Sequence, residues 1–345
     1  MLKAFAAAFR TPDLRRKLLF TVAIMVIYRL GTFVPAPFVS IHNVRQCAAQ
    51  KGEGGFLNLL NMFSGGAMLQ LSVFALGIMP YITASIIIQL LRVVIPRFEQ
   101  LHKEGQSGTA KLTEYTRYLT IGLGVLQSAV YVSLANTTLF QGCRHQPIPG
   151  ANPVKITMAI LAMTAGTGLI MWLAELITER GVGNGMSILI FTGICANFPG
   201  MLLNVIRSNA GWKGATVVLA VFLAITVVVV FVEQCQRRIP VQYAKRVVGR
   251  RMIGGSTTYL PIKINMANVI PVIFASSLLM LPQMIASFGN QSSGWVQFIQ
   301  SNLTRQGVWY YGLYALLIFG FTFFYTSITF DTEEVADNMK RYGGF

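Results

Sequence analysis

The 345-residue chain is 54% hydrophobic and only 12% charged, against roughly a quarter charged in soluble domains, which excludes an ordinary water-soluble globule and a disordered chain. Its 28 Lys and Arg against 12 Asp and Glu give a formal net charge of +16. Residues 54–91, 118–143, 181–206, 214–232, 264–304 and 306–330 carry no charge at all, so the basicity sits between apolar runs and reports orientation across a bilayer before it reports nucleic acid.

A span takes about 20 apolar residues, and eight are predicted, near 18–38, 70–91, 118–138, 155–175, 186–206, 214–232, 266–288 and 308–330. The first is followed by Pro35 and Pro37 instead of a small-residue cleavage site and reads as a retained helix. Its Arg29 is the one ionisable residue clearly inside a span; near the outer end, it either snorkels to the interface or has a functional role. Residues 56–91 are 36 consecutive uncharged positions, about 54 Å as one helix and too long for a ~30 Å hydrocarbon core. Gly65 and Gly66 divide them into a short apolar helix around Leu57–Phe63 and a full span from about Leu69. The short piece is either re-entrant or lies along the interface.

Further along, Gly181-Val182-Gly183-Asn184-Gly185 follows a membrane helix and not a strand, so it reads as a tight turn and not a phosphate cradle. Glu175 and Glu233 stand at span ends and read as solvated. The segment 234–265 holds seven Lys and Arg and no acid. In the seventh span, Ile270-Pro271-Val272-Ile273-Phe274-Ala275-Ser276 echoes Met79-Pro80-Tyr81-Ile82-Thr83-Ala84-Ser85, with Pro, Ile, Ala and Ser at the same offsets. The two copies run in opposite directions, as inverted repeats with Pro-interrupted helices do. An even number of spans puts both ends on one side. That side carries twenty Lys and Arg against seven opposite, which predicts both ends cytosolic.

Chemistry-bearing patterns are absent: no H-E-x-x-H, G-x-S-x-G or G-x-x-x-x-G-K-[ST] occurs, and His42, His102 and His145 fall in separate loops. No enzyme, metal or cofactor is expected. Only Cys47 and Cys143 share a compartment, and spacing does not decide whether they pair. Broken helices and repeats leave a transport protein, with a secondary transporter of small solutes as one reading.

The run SVFALGIMPYITASIIIQLL at 72–91 resembles the second-span signature of the SecY family, the bacterial protein-conducting channels. Similar segments follow in the family's order: Tyr28-Arg29-Leu30-Gly31, Asn61-Met62-Phe63-Ser64-Gly65-Gly66, Tyr115-Thr116-Arg117-Tyr118, Ile177-Thr178-Glu179-Arg180-Gly181, Gln236-Arg237-Arg238-Ile239-Pro240, Gly249-Arg250-Arg251, and Phe330-Asp331 through Gly343-Gly344-Phe345. The resemblance covers essentially the whole sequence.

It implies an all-α multi-pass membrane fold of two inverted, pseudo-symmetric helical halves around a central pore. Residues 1–206 would form the first half and 207–345 the second, with the family's spans nine and ten absent from this sequence. The matching pore-ring positions are Ile82, Ile86, Met186, Ile190 and Ile273, an apolar waist that excludes hydrated ions. Asn58, Leu59, Leu60, Asn61, Met62, Phe63, Ser64, Gly65, Gly66 and Ala67 match the plug. Gln127, Asn265 and Asn268 are candidates for the lateral gate, through which hydrophobic segments would leave into lipid. Arg237, Arg238, Lys245, Arg246, Arg250 and Arg251 are candidates for docking a ribosome, through rRNA phosphates, or the SecA motor. The small membrane subunits SecE and SecG are the other implied partners, and a secretory polypeptide is the cargo. The implied location is the bacterial plasma membrane.

Overall fold

A computed structural model of the chain describes residues 11–40, 43–44, 66–67, 70–135, 152–207, 211–242, 246–248, 251–253, 257–288, 294, 296–297, 308–329, 336–337 and 339–340. They belong to two compact units, Met1–Asn204 with Met284–Gln297, and Val205–Gln283 with Phe298–Phe345.

The first unit contains helices α1 (Pro12–Gly31), α2 (Met79–Val94), α3 (Pro96–Lys103), α4 (Gln106–Leu134), α5 (Pro153–Arg180) and most of α6 (Gly185–Arg207). Four of these start on proline: Pro12, Pro80, Pro96 and Pro153 stand at the first or second helical position, and none of the four helices has a side-chain N-cap bond. Proline's missing N–H costs nothing there and its fixed φ suits the first turn. Pro271 likewise is the second residue of α8 (Ile270–Phe288). The echoed heptapeptides are therefore two helix starts, which corrects the expectation of Pro-interrupted helices.

The second span also differs from its prediction. Residues 70–78 are turns, and the helix begins only at Met79. Leu71 (φ 48°) and Gly77 (φ 57°) are left-handed, a conformation that no right-handed helix propagates through. Backbone groups in this stretch are satisfied from elsewhere: Ala36 N–H donates to Leu71 O (3.0 Å), Val73 N–H donates to Val34 O (2.9 Å), and Pro35 bridges Ser72. The same pairing explains why α1 stops at Gly31 and does not run on to residue 38. At that point Tyr28 stacks on Phe74, with ring centroids 6.0 Å apart.

Ile95 is extended (φ −104°, ψ 111°), as a residue before proline must be, and the axis turns by 98° from α2 into α3. In α3 the Lys103 ammonium donates to Glu99 at 2.6 Å and holds that carboxyl below its ordinary pKa. The helix α4 packs along α2 and α5, and α1 packs on α5. Thr116, Thr120, Gly124 and Ser128 recur every fourth residue of α4. The Ser128 and Thr164 hydroxyls lie 3.2 Å apart, and a Cβ at Gly124 would meet the Thr164 and Thr167 methyls, the small-residue seam by which membrane helices approach. A cluster of Ala36, Val44, Leu71, Ala75, Tyr131, Val132, Ala135, Ala159 and Met163 locks the non-helical stretch onto α4 and α5.

The second unit contains α7 (Gly211–Gln234), strands β1 (Gln236–Gln242), β2 (Arg246–Val248), β3 (Arg251–Ile253) and β4 (Thr257–Lys263), most of α8, and α9 (Val308–Thr329). What the sequence offered as a basic loop is an antiparallel ribbon: β1 pairs β4 from Gln236↔Lys263 to Gln242↔Thr257, and β2 pairs β3 from Arg246↔Ile253 to Val248↔Arg251. Phe274 of α8 meets Phe321 of α9 at 4.5 Å between centroids.

Among the described residues α5, α6 and α7 are long and apolar enough to cross a membrane, and α2 with α3 makes a fourth if the bent pair is one span. The apolar window of α7 is only 6% buried in protein. A helix apolar all round and left uncovered is a helix for lipid or for a membrane partner.

Candidate functional site

Ile82 and Ile86 lie one turn apart in the first half of α2 and are buried, at 7% and 5% exposure. Pro80, the second residue of α2 and two before Ile82, sets that register by fixing the first turn of the helix. Met186 and Ile190 lie one turn apart at the start of α6 and are half-buried. That start is fixed by the turn Gly181–Asn184, where Gly183 has φ 78° and Thr178 Oγ1 accepts from Gly185 N–H at 2.9 Å. A Cβ on Gly185 would fall 1.8 Å from Ala174 O, so only glycine lets α6 fold back this closely onto α5. Ile273 is half-buried in the first turn of α8, in the second unit.

Of the plug positions, Gly66 and Ala67 are described and Asn58–Gly65 lie outside the described residues. Gly66 has φ 88°, which glycine alone adopts freely, and a Cβ there would stand 3.2 Å from Asn197 Oδ1 of α6. Ala67 is fully buried and its carbonyl accepts from Ser72 N–H at 3.1 Å. Gln127 is half-buried on α4. Asn265 and Asn268 stand before α8 and not on it: the Asn265 amide donates to Glu233 Oε1 at 3.0 Å, and Asn268 N–H donates to Asn265 Oδ1 at 3.1 Å. Arg237 and Arg238 are exposed on β1. Consecutive in a strand, they project to opposite faces of the ribbon. Arg246 and Arg251 lie on β2 and β3, while Lys245 and Arg250 fall outside the described residues, as do Cys47 and Cys143.

Two acidic residues read as solvated are instead bonded. Glu233 holds Asn265, and Glu175 of α5 takes both Nε (3.0 Å) and Nη2 (2.7 Å) of Arg117 on α4. Sequence reasoning missed that pair although Arg117 lies inside one quoted motif and Glu175 just before another; opposite charges at the ends of two successive spans were the available signal. Arg29 donates to Thr32 Oγ1 at 3.4 Å and lies 4.7 Å from the Phe33 ring centre, the amphipathic seat of a snorkelling arginine.

The SecY family matches residues 72–345. Over 353 aligned residues the chain is 56% identical to the protein translocase subunit SecY of Streptomyces galbus, covering 100% of this chain and 81% of that one. With the same subunit of Micrococcus luteus it shares 53% over 352 residues, 100% and 80% of the two chains. The chain belongs to the SecY family. It is a membrane protein of the bacterial membrane, and its function is that of a protein-conducting channel; the family is a translocation family and not an enzyme family. The chain spans about four-fifths of the length of these curated SecY relatives. Solved structures agree on the fold. A protein conducting channel superposes with TM-score 0.53 at 18% identity, over 86% of this chain and 60% of that one. The yeast Ssh1 complex bound to the 80S ribosome gives 0.56 at 16%, over 81% and 60%. The channel fold and the SecY relatives do not favour the small-solute transporter.

Proposed function

We propose that the chain passes unfolded secretory polypeptides through a waist formed by Ile82, Ile86, Met186, Ile190 and Ile273, and releases hydrophobic segments sideways into lipid. The observation that carries this reading is the pair of one-turn aliphatic doublets, Ile82/Ile86 and Met186/Ile190, each at the start of a helix whose register is fixed by a neighbouring Pro or Gly turn. Aliphatic side chains offer an ion nothing in exchange for its hydration shell, yet they close around any peptide without sequence preference. The Gly66 hinge supports a displaceable plug in the preceding segment.

The twenty-to-seven charge bias supports cytosolic ends, which puts the basic ribbon in the cytosol. There it would dock a ribosome or the SecA motor, since the channel itself has no nucleotide motif. Sec61 in a canine ribosome-channel complex and ribosome-bound Ssh1 share the fold and support the ribosome as a partner class. The bare apolar faces of α7 and α9 leave room for the small membrane subunits SecE and SecG.

A photo-crosslinker at Ile82 or Ile190 in the assembled translocase, loaded with a stalled secretory chain, is expected to label that chain. Labelling of small solutes with none of the polypeptide would overturn the reading.

A further inference from the structure

Residues 180–330 contain a single acid, Glu233. It stands in the last turn of α7, next to a ribbon rich in Arg and Lys, yet neither ion pair among the described residues involves it. Helix electrostatics do not account for it either: the C-terminal turn is the negative end of the helix dipole, where a carboxylate is disfavoured and a cation preferred. Its bond to Asn265 accounts for it. Glu233 Oε1 accepts from the Asn265 amide at 3.0 Å, a charge-assisted bond about twice as strong as a neutral one.

The bond closes a loop of contacts around the root of the ribbon. Cys235 O accepts from Ile264 N–H at 3.2 Å, and the next pair, Gln236↔Lys263, opens the β1–β4 ladder. On the far side Asn265 Oδ1 accepts from Asn268 N–H at 3.1 Å and holds Asn268 in a left-handed conformation, φ 51°. The carbonyl of the next residue, Val269, accepts from Val272 N–H (3.1 Å) and Ile273 N–H (3.2 Å) and so starts α8. Hydrogen bonds, joined by the single peptide step from Asn268 to Val269, thus run from the end of α7, past the ribbon root, to the turn that carries Ile273. Without Glu233, Asn265 would lose the bond that ties it to α7, and the lead-in to α8 would become a loose hinge.

We infer that Glu233 is a positioning residue: through Asn265 it fixes the angle between the basic ribbon and α8, so that a load on the ribbon reaches the helix bearing Ile273. This rests on the reading above of the ribbon as a docking element and of Ile273 as a waist residue. Glu233→Gln keeps a carbonyl acceptor for the Asn265 amide and gives up only the charge assistance, so it retains most of the function, whereas Glu233→Ala removes the acceptor and loses it.

The test uses the complete translocase in nanodiscs, with native cysteines replaced by serine and spin labels at the exposed positions Tyr259 and Val272. The unmodified clasp is expected to give one narrow distance distribution without any partner. E233A and N265A broaden it, and E233Q keeps it narrow. In parallel, E233A leaves ribosome or motor affinity within about twofold while partner-stimulated transport falls roughly ten-fold, the loss of one hydrogen bond to a charged group. An unchanged distribution in E233A, or E233Q as damaging as E233A, would overturn the inference. Should E233A not assemble, N265A removes the same bond from the other side and decides the matter. If the wild-type ribbon binds neither partner, the docking reading fails, while the partner-free distance measurement still judges the clasp.

Discussion

Arg117 and Glu175 lie 58 positions apart and meet through two parallel hydrogen bonds. The Glu175 side chain is 16% exposed and that of Arg117 47%, so water screens one partner well, and the pair belongs nearer the surface value of about 1 kcal/mol than that of a buried bridge. Its shape matters as much as its charge, because a guanidinium presents two donors in a fixed fork and an ammonium presents a point charge. In a double-mutant cycle of Arg117→Ala and Glu175→Gln, read by thermal unfolding in detergent, a coupling of about 1 kcal/mol is expected. Arg117→Lys should recover less than half of it. Full recovery with Lys would mean that charge alone, and not the fork geometry, accounts for the coupling. Glu175 shows what a sequence hides at this scale: a carboxylate at a span end has the same composition signal whether it faces water or a cation 58 residues away.

At the scale of elements, the non-helical stretch before α2 is held down by a glycine. A Cβ on Gly166 of α5 would stand 2.1 Å from Val73 O, backbone that cannot swing aside, whereas a Cβ on Gly168 meets nothing within 4 Å. Gly166→Ala should therefore push residues 70–78 off α5 and cost about 1–3 kcal/mol in thermal stability, as overpacking does. Gly168→Ala should be neutral or stabilise by up to about 1 kcal/mol through helix propensity. Equal effects at the two sites would show that the stretch does not rest on α5. None of this was legible in the sequence, because 70–78 is as apolar as the helix it precedes, and its left-handed residue at 71 is a leucine, held by pairing with Val34–Ala36. The apolar bodies of the helices were legible and their starts were misjudged, since proline opens a helix as readily as it interrupts one. The ribbon was hidden for a related reason. Pro240 and Pro261 argue against strands, yet in a two-stranded ribbon both strands are edges and tolerate them.

At the scale of the whole molecule, the charge-free runs marked the apolar helices and the charge count the ribbon's basicity, but the proposed waist positions came only through resemblance. Aliphatic residues at i and i+4 on a helix are ordinary packing in any apolar chain. Basic residues of the 234–265 segment should act through long-range attraction. Arg250→Glu with Arg251→Glu is expected to weaken docking of the ribosome or motor and to flatten its salt dependence, measured by binding at low and moderate ionic strength. Affinity equal to wild type at both would remove these two residues from the interface.

The proposed waist makes a stronger demand, because it would have to exclude salt while a polypeptide passes. An apolar constriction does this by staying dry, and an amide side chain supplies the donors and acceptors that let water remain. Ile82→Asn combined with Ile273→Asn, one from each compact unit, replaces two of the five expected waist side chains. Lowering the barrier to wetting by as little as about 1.4 kcal/mol raises ion flow tenfold. In planar bilayers the double variant should leak ions at least that much above wild type, and Ile82→Val with Ile273→Val, smaller but equally apolar, should leak far less. A hole opened by volume loss would instead make the valine pair leaky too. Conductance unchanged in the asparagine pair would place Ile82 and Ile273 against protein or lipid and away from any passage.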